Sequence, residues 1–137
     1  SQAGCRLGCS FCMTARMGFQ GQLSAGEIVS QFLNIDETDR LTNVVYMGMG
    51  EPLDNWTEVL RSLEIFTASW GFAWSPRRIT VSTSGILPVL DAFMETVDAG
   101  INLIVVVPEH VENVVSKSLA VQKNLQNMTK TFLVVKA

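Results

Sequence analysis

Four short runs of apolar and β-branched residues recur along the chain, at positions 43–47, 78–82, 101–107 and 131–135. Valine, isoleucine and threonine, which favour extended backbone, are frequent in these runs. Their length is typical of strands, whereas helices of globular proteins are usually longer. The pattern predicts four β-strands buried on both faces, as in a parallel sheet.

Segments with a helical spacing of apolar residues lie between these runs. Ser24 and Glu27 have the spacing of a capping box, and apolar residues follow at positions 28, 29, 32 and 33. Asn55 and Glu58 repeat that spacing before the apolar positions 59, 60, 63 and 66. A third helix is predicted over residues 87–97 and a fourth over residues 111–125.

The alternation of strands and helices predicts an α/β fold of repeated βα units around a parallel sheet. Right-handed crossovers would then bring the carboxyl ends of the strands to one edge, where loops carry chemistry. No linker interrupts the sequence, so we expect a single domain over residues 1–137. Periodicity alone leaves open whether the sheet stays open or forms part of a barrel.

Composition narrows the class of protein. Hydrophobic residues make up 47% of the chain, charged residues 17%, and the formal net charge is −3. This balance fits a globular protein and argues against a general electrostatic grip on nucleic acid. No run of about 18 apolar residues occurs, so we expect no membrane association. A start at Ser1 and Gln2, without methionine, suggests a fragment of a longer protein.

All three cysteines of the chain, Cys5, Cys9 and Cys12, lie within eight consecutive residues. Their odd number fits a disulfide framework poorly and a reduced, cytoplasmic setting better. Three converging thiolates and no fourth match an iron–sulfur cluster that keeps one iron open. The alternatives are a zinc site, for which His110 is the only further soft ligand, and three buried structural cysteines.

The segment 5–12 (CRLGCSFC) resembles the signature of radical S-adenosylmethionine (SAM) enzymes. The resemblance implies a partial (β/α) barrel and a [4Fe–4S] cluster bound by Cys5, Cys9 and Cys12. In these enzymes SAM chelates the open iron through its amino and carboxylate groups. Phe11 matches an aromatic position whose surroundings contact the adenine of SAM, and the alternative is an ordinary core aromatic.

A closer resemblance rests on four motifs in order, at residues 1–5 (SQAGC), 12–15 (CMTA), 48–53 (GMGEPL) and 77–85 (RRITVSTSG). Together they are similar to the radical SAM methyltransferases that modify carbon 2 of an adenine in 23S ribosomal RNA, and in some members in transfer RNA. The resemblance implies that Gly50 and Glu51 bind the methionine end of SAM and that Ser82 also contacts SAM. The alternatives are a tight strand-to-helix turn at Gly50 and a helix-capping role for Ser82.

The resemblance extends to about residue 105, and residues 106–137 diverge from the family pattern. It implies an RNA substrate and a reducing partner such as a flavodoxin. It also implies a methyl-accepting and a resolving cysteine, but the chain has no cysteine besides the three at positions 5, 9 and 12. The catalytic residues therefore stay unassigned, and we expect this chain alone to be incomplete for turnover. A non-catalytic fragment that binds a metal or cluster, and a radical SAM enzyme with another substrate, are the alternative functions.

Overall fold

The computed structural model describes residues 1–96, 100–107 and 132–136. Six strands lie in these ranges: β1 (Gln2–Gly4), β2 (Phe19–Gln22), β3 (Val44–Tyr46), β4 (Ile79–Thr83), β5 (Asn102–Val107) and β6 (Phe132–Lys136). The four α-helices in the same ranges are α1 (Met13–Arg16), α2 (Ala25–Leu33), α3 (Trp56–Thr67) and α4 (Leu87–Thr96). None of these helices is long and apolar enough to cross a membrane.

The four predicted strands form one parallel sheet in the order β3–β4–β5–β6. Val44 pairs with Ile79 at the start of this ladder, and Val105 pairs with Val134 near its end. The order in the sheet follows the order in the sequence, as is usual for consecutive βα units. The parallel α/β prediction is confirmed, whereas the predicted helix over residues 111–125 lies outside the described residues.

Strands β4 and β5 have one buried face and one half-open face. Alternate residues of β4 and the β5 region are buried: Ile79, Val81, Thr83, Ile101, Leu103 and Val105. The apolar members of this set share one hydrophobic core with residues of α2, α3 and α4. Ser82 and Ile104 point to the other face and are only half-buried. The expectation that the strands are buried on both faces is therefore wrong for β4 and β5, because the helices pack on one side only in the described part.

The capping box predicted for α2 is present, and the one predicted for α3 is not. Ser24 Oγ accepts a hydrogen bond from Glu27 N at 3.3 Å, and the Glu27 carboxylate accepts one from Ser24 N at 2.8 Å. At the start of α3 the Asn55 side chain makes no capping hydrogen bond. It donates instead to the backbone oxygens of Ser1 and Leu23, at 2.8 and 2.7 Å. Tertiary contacts have replaced the local cap.

An antiparallel hairpin of β1 and β2, which the apolar pattern did not predict, encloses the cysteine segment. Gly4 has a φ of +77°, and a Cβ placed there would lie 1.7 Å from the backbone oxygen of Gly18. Only glycine combines this conformation with so close an approach. Cys5 N donates to Gly18 O at 3.2 Å, so the hairpin brings residue 5 beside residue 18 and forces the chain between them into a loop.

Candidate functional site

The structure places all seven residues named from the sequence around one cavity of about 220 Å³. These residues are Cys5, Cys9, Phe11, Cys12, Gly50, Glu51 and Ser82. They come from segments as far apart as positions 5 and 82 of the chain. The fold thus brings the predicted set together, although the role of each side chain as a ligand stays a prediction.

The cavity lies at the carboxyl ends of the parallel strands. Glu51 follows β3, Ser82 is near the end of β4, and Val106 is near the end of β5. The loop between β1 and α1 supplies the cysteines from the other side. Parallel sheets bind ligands at this edge because their strand ends and loops converge there.

The three cysteines carry free thiols and are half-buried. The backbone N–H groups of Ala15 and Thr14, at the start of α1, lower the pKa of Cys12. Burial raises the pKa of Cys9, and the neighbouring thiols add to this effect. A hydrogen bond from the Ser84 side chain opposes it in part. The thiolate form is therefore easier to reach at Cys12 than at Cys9.

Three thiols line one cavity, and such a donor set can hold an iron–sulfur cluster. In the part of the chain that the structure describes, no three His, Cys, Asp or Glu side chains are placed to hold one metal ion. In an iron–sulfur cluster each thiolate binds a different iron, so the ligands lie farther apart than ligands sharing one ion. Three thiols around one cavity are compatible with that arrangement. His110, the further ligand of the zinc alternative, lies outside the described residues.

Glu51 is 4% exposed, and its carboxylate is held by the chain itself. Oε1 accepts a hydrogen bond from Leu53 N at 3.0 Å and another from the Thr83 hydroxyl. Oε2 accepts one from Ser84 N at 2.8 Å. An ionised carboxylate has about four acceptor positions, so these three bonds leave room for one further donor.

Gly50 is required by packing inside the chain. Its φ is +96°, and a Cβ there would lie 2.5 Å from the Cβ of Gln2. The sequence interpretation attributed the glycine to close approach of a ligand or to a tight turn. The structure adds a third reason, since the buried Gln2 side chain occupies the space beside Gly50.

Phe11 is 58% exposed, so the alternative of an ordinary core aromatic is wrong. It stands at the cavity with Leu7, which is also exposed. At the β4 end, Thr83 rather than Ser82 makes the turn contact, because Thr83 Oγ1 accepts from Gly85 N at 3.0 Å. Sequence reasoning missed Thr83 and Ser84, and their position in the hydroxyl-rich segment 82–85 was the only signal for them.

A larger cavity, of about 330 Å³, lies along β3 on the side away from β4. Mostly apolar residues line it, including Ile28, Phe32 and Val44. It contains none of the cysteines and shares only Tyr46, Gly48 and Gly50 with the smaller cavity. The chemistry of the lining, not the volume, therefore identifies the candidate site.

The sequence of this chain is similar to that of known proteins. The pattern of the Radical SAM superfamily matches residues 1–135. A probable dual-specificity RNA methyltransferase RlmN of Porphyromonas gingivalis (strain ATCC BAA-308 / W83) is 61% identical over 85 residues, which are 62% of this chain and 25% of that protein. A probable dual-specificity RNA methyltransferase RlmN of Bacteroides thetaiotaomicron is 54% identical over 98 residues, 72% of this chain and 28% of that protein. The chain thus spans about a quarter of the length of these curated relatives.

The fold is similar to that of a solved protein. The crystal structure of a radical SAM methyltransferase from Sphaerobacter thermophilus superposes with a TM-score of 0.71 and 26% sequence identity. The similarity covers 97% of this chain and 53% of that chain. The fold of this chain is thus shared with a part of that methyltransferase.

Proposed function

The chain belongs to the radical SAM superfamily, and we propose that it is the core of an enzyme that methylates carbon 2 of an RNA adenine. In this proposal the core binds a [4Fe–4S] cluster and SAM, and the RNA is 23S ribosomal RNA or transfer RNA. The observation that carries it is the convergence of three thiols, Glu51 and Ser82 on one cavity. The names of the RlmN relatives support RNA as the substrate class.

Cys5, Cys9 and Cys12 would hold the cluster, which leaves one iron without a protein ligand. When bound and reduced, such a cluster supplies the electron that cleaves a carbon–sulfur bond of SAM. The protein contributes the thiolates and the cavity in which they lie. The lowered pKa of Cys12 favours ligation there, because a thiol binds iron as thiolate.

Glu51 supports a SAM site through its fourth acceptor position. The three internal hydrogen bonds fix the carboxylate in place, so an ammonium group of a ligand would meet a preorganised anion. Ser82 would offer a hydroxyl to SAM from the half-open face of β4. The exposed ring of Phe11 offers an apolar surface for the adenine.

Methyl transfer requires groups beyond this chain. The proposed reaction uses a methyl-accepting and a resolving cysteine, and the three cysteines present are already assigned to the cluster. We therefore propose that the chain alone binds cluster and SAM without completing turnover. We also propose that a reducing protein such as a flavodoxin is a partner and that the cytoplasm is the compartment.

Anaerobic reconstitution of the chain with iron and sulfide tests the cluster. We expect about four irons per chain, and an electron paramagnetic resonance signal of the reduced cluster that changes when SAM is added. The variant with Cys5, Cys9 and Cys12 all replaced by alanine is the control, and it should retain no cluster. Tight zinc in place of iron, or iron retained by the triple variant, would overturn the assignment.

Glu51→Gln tests the SAM contact separately. The amide keeps the size of the side chain and removes the negative charge. It also replaces one acceptor oxygen with an NH₂ group that faces the hydrogen-bond donors around residue 51. We expect weaker SAM binding at unchanged iron content. Glu64→Gln on the exposed side of α3 is the matched control, because it removes the same charge away from the cavity. Equal SAM affinity in both variants would contradict the role proposed for Glu51.

A further inference from the structure

A set of buried and part-buried polar contacts joins the cysteine loop to the loop that carries Glu51, and its centre is Gln2. This side chain is 1% exposed. Its Oε1 accepts a hydrogen bond from Glu51 N at 2.8 Å. Its Nε2 donates to Gln22 Oε1 at 2.7 Å and to Asp54 Oδ2 at 2.6 Å. Both amide hydrogens are thus used, and the side chain has one orientation that satisfies all three partners.

Asp54 extends the connection to the cysteine loop. The same oxygen that accepts from Gln2 also accepts from Arg6 Nε at 2.7 Å. Arg6 directly follows Cys5, and its guanidinium lies over the ring of Phe19, 4.0 Å from the centroid. A charge-assisted bond and a ring contact together restrict Arg6 to one position. The backbone beside Cys5 is restricted with it.

Glu51 continues the connection to the end of β4. Its carboxylate accepts from the Thr83 hydroxyl and from Ser84 N. A continuous series of hydrogen bonds therefore runs from Arg6, through Asp54 and Gln2, to the loop at Glu51 and on to β4. It links the two sides of the cavity, in addition to the bond from Gln2 N to Met49 O at 3.2 Å.

Gln2, Asp54 and Arg6 do not line the site cavity. They act on it only through the segments that they hold. Removing one partner would leave buried polar atoms unpaired, and the remaining groups would shift to recover hydrogen bonds. A shift of either loop changes the distance between the cysteines and the Glu51 carboxylate.

We infer that Gln2 and Asp54 are positioning residues that hold the cysteine loop and the Glu51 loop at the separation that SAM requires. This inference rests on the proposed function. A ligand that contacts a cluster iron and Glu51 together needs both loops in fixed register, whereas the cluster needs only the cysteine loop. Loss of the connection should therefore weaken SAM binding and spare cluster assembly.

Asp54→Asn and Gln2→Glu test this separation. Asp54→Asn keeps the side-chain shape and removes the charge that holds Arg6. Gln2→Glu removes the two hydrogen bonds that Gln2 Nε2 donates, to Gln22 and Asp54, and adds a carboxylate beside Asp54. After reconstitution we expect unchanged iron per chain and about tenfold weaker SAM binding in each variant, as is typical when outer partners of a bound group are lost. Binding is measured from the SAM-dependent change in the electron paramagnetic resonance spectrum. Asp54→Glu, which restores the charge, should recover part of the affinity.

Val59→Ala is the control for stability alone. Val59 is fully buried in α3 and lines neither cavity. It should lower the melting temperature of the chain without changing the affinity for SAM. SAM affinity that follows the melting temperature across all variants, or iron content that falls together with SAM affinity, would overturn the positioning role. So would wild-type affinity in both Asp54→Asn and Gln2→Glu.

Hydrogen exchange in the metal-free chain tests the positioning role independently of cluster binding. In the metal-free chain, Asp54→Asn should speed hydrogen exchange at the amides of both Cys5 and Glu51, which are hydrogen-bonded to Gly18 O and Gln2. Faster exchange at both amides supports the coupling. A wild-type chain that binds no cluster would contradict the proposed function but not the coupling. Unchanged exchange at Glu51 would overturn the coupling.

Discussion

Tyr46 ends β3, is 8% exposed, and is the only tyrosine in the chain. Its hydroxyl lies 2.8 Å from Ser62 Oγ. Ser62 donates its own hydrogen to Val59 O at 2.7 Å, so the Tyr46 hydroxyl must be the donor of the pair. Tyrosinate would have no hydrogen to donate and would face an oxygen whose hydrogen is already used. We therefore expect the folded chain to resist ionisation of Tyr46.

Burial raises the pKa of Tyr46 from 10.0 to about 12. Since the folded pKa lies above the unfolded one, the stabilising effect of the neutral form is complete below pH 10.0 and is lost as pH rises to about 12. The difference between the two values corresponds to roughly 3 kcal/mol of unfolding free energy. Near pH 11, about 1.4 kcal/mol of it should already be lost.

Tyr46→Phe supplies the comparison, because phenylalanine does not titrate. Near neutral pH the variant should be less stable by about 1 kcal/mol, since it lacks one buried hydrogen bond. All other titrating groups are common to both chains and cancel in the difference. Near pH 11 the stability advantage of the wild type should therefore vanish or reverse.

Urea unfolding of both chains near pH 8 and near pH 11 measures this difference. Ultraviolet absorbance of tyrosinate in the folded wild type reports ionisation of Tyr46 directly, because no other tyrosine contributes. A tyrosinate signal that appears near pH 10 while the chain is still folded would refute the reasoning. A stability difference between the two chains that does not change with pH would refute it as well.

Two further substitutions test local structure around the site. Gly4→Ala should destabilise the chain by about 2 kcal/mol or more, since a Cβ at this positive φ meets Gly18 O. Gly21→Ala is the control, because a Cβ there meets nothing within 4 Å. Equal urea midpoints for the two variants would contradict the prediction. Ser24→Ala should cost about 1 kcal/mol, because it removes the acceptor for Glu27 N at the start of α2. Thermal unfolding measures the second effect, and an unchanged melting temperature would show that the cap contributes nothing.

The local signals that predicted the fold correctly depend on near neighbours in the sequence. The β-branched runs became strands β3 to β6 within one or two residues. The capping box of Ser24 and Glu27 formed as predicted, because both partners belong to one helical turn. The same spacing at Asn55 and Glu58 did not produce a cap, since Asn55 binds two distant backbone oxygens and Glu58 accepts from Ala25 N.

Interactions between distant segments decided what the pattern could not predict. The β1–β2 hairpin rests on close approach of Gly4 to Gly18, for which alternation gives no signal in strands of three or four residues. Gln2 looks like an ordinary polar residue in the sequence, yet the folded chain buries it beside Gly50 and Asp54. No local rule predicts the burial of an amide whose partners lie 20, 49 and 52 positions away.

The sequence by itself determined the chemistry that the chain can offer. Three thiols within eight residues, a carboxylate after one strand and a hydroxyl near the end of another are fixed by covalent order alone. The tertiary structure decided that these groups face one cavity. It also decided that the Glu51 carboxylate accepts three hydrogen bonds from its own chain. The physical reason is that side-chain identity is local, whereas the pairing of buried polar groups depends on which segments the hydrophobic core brings into contact.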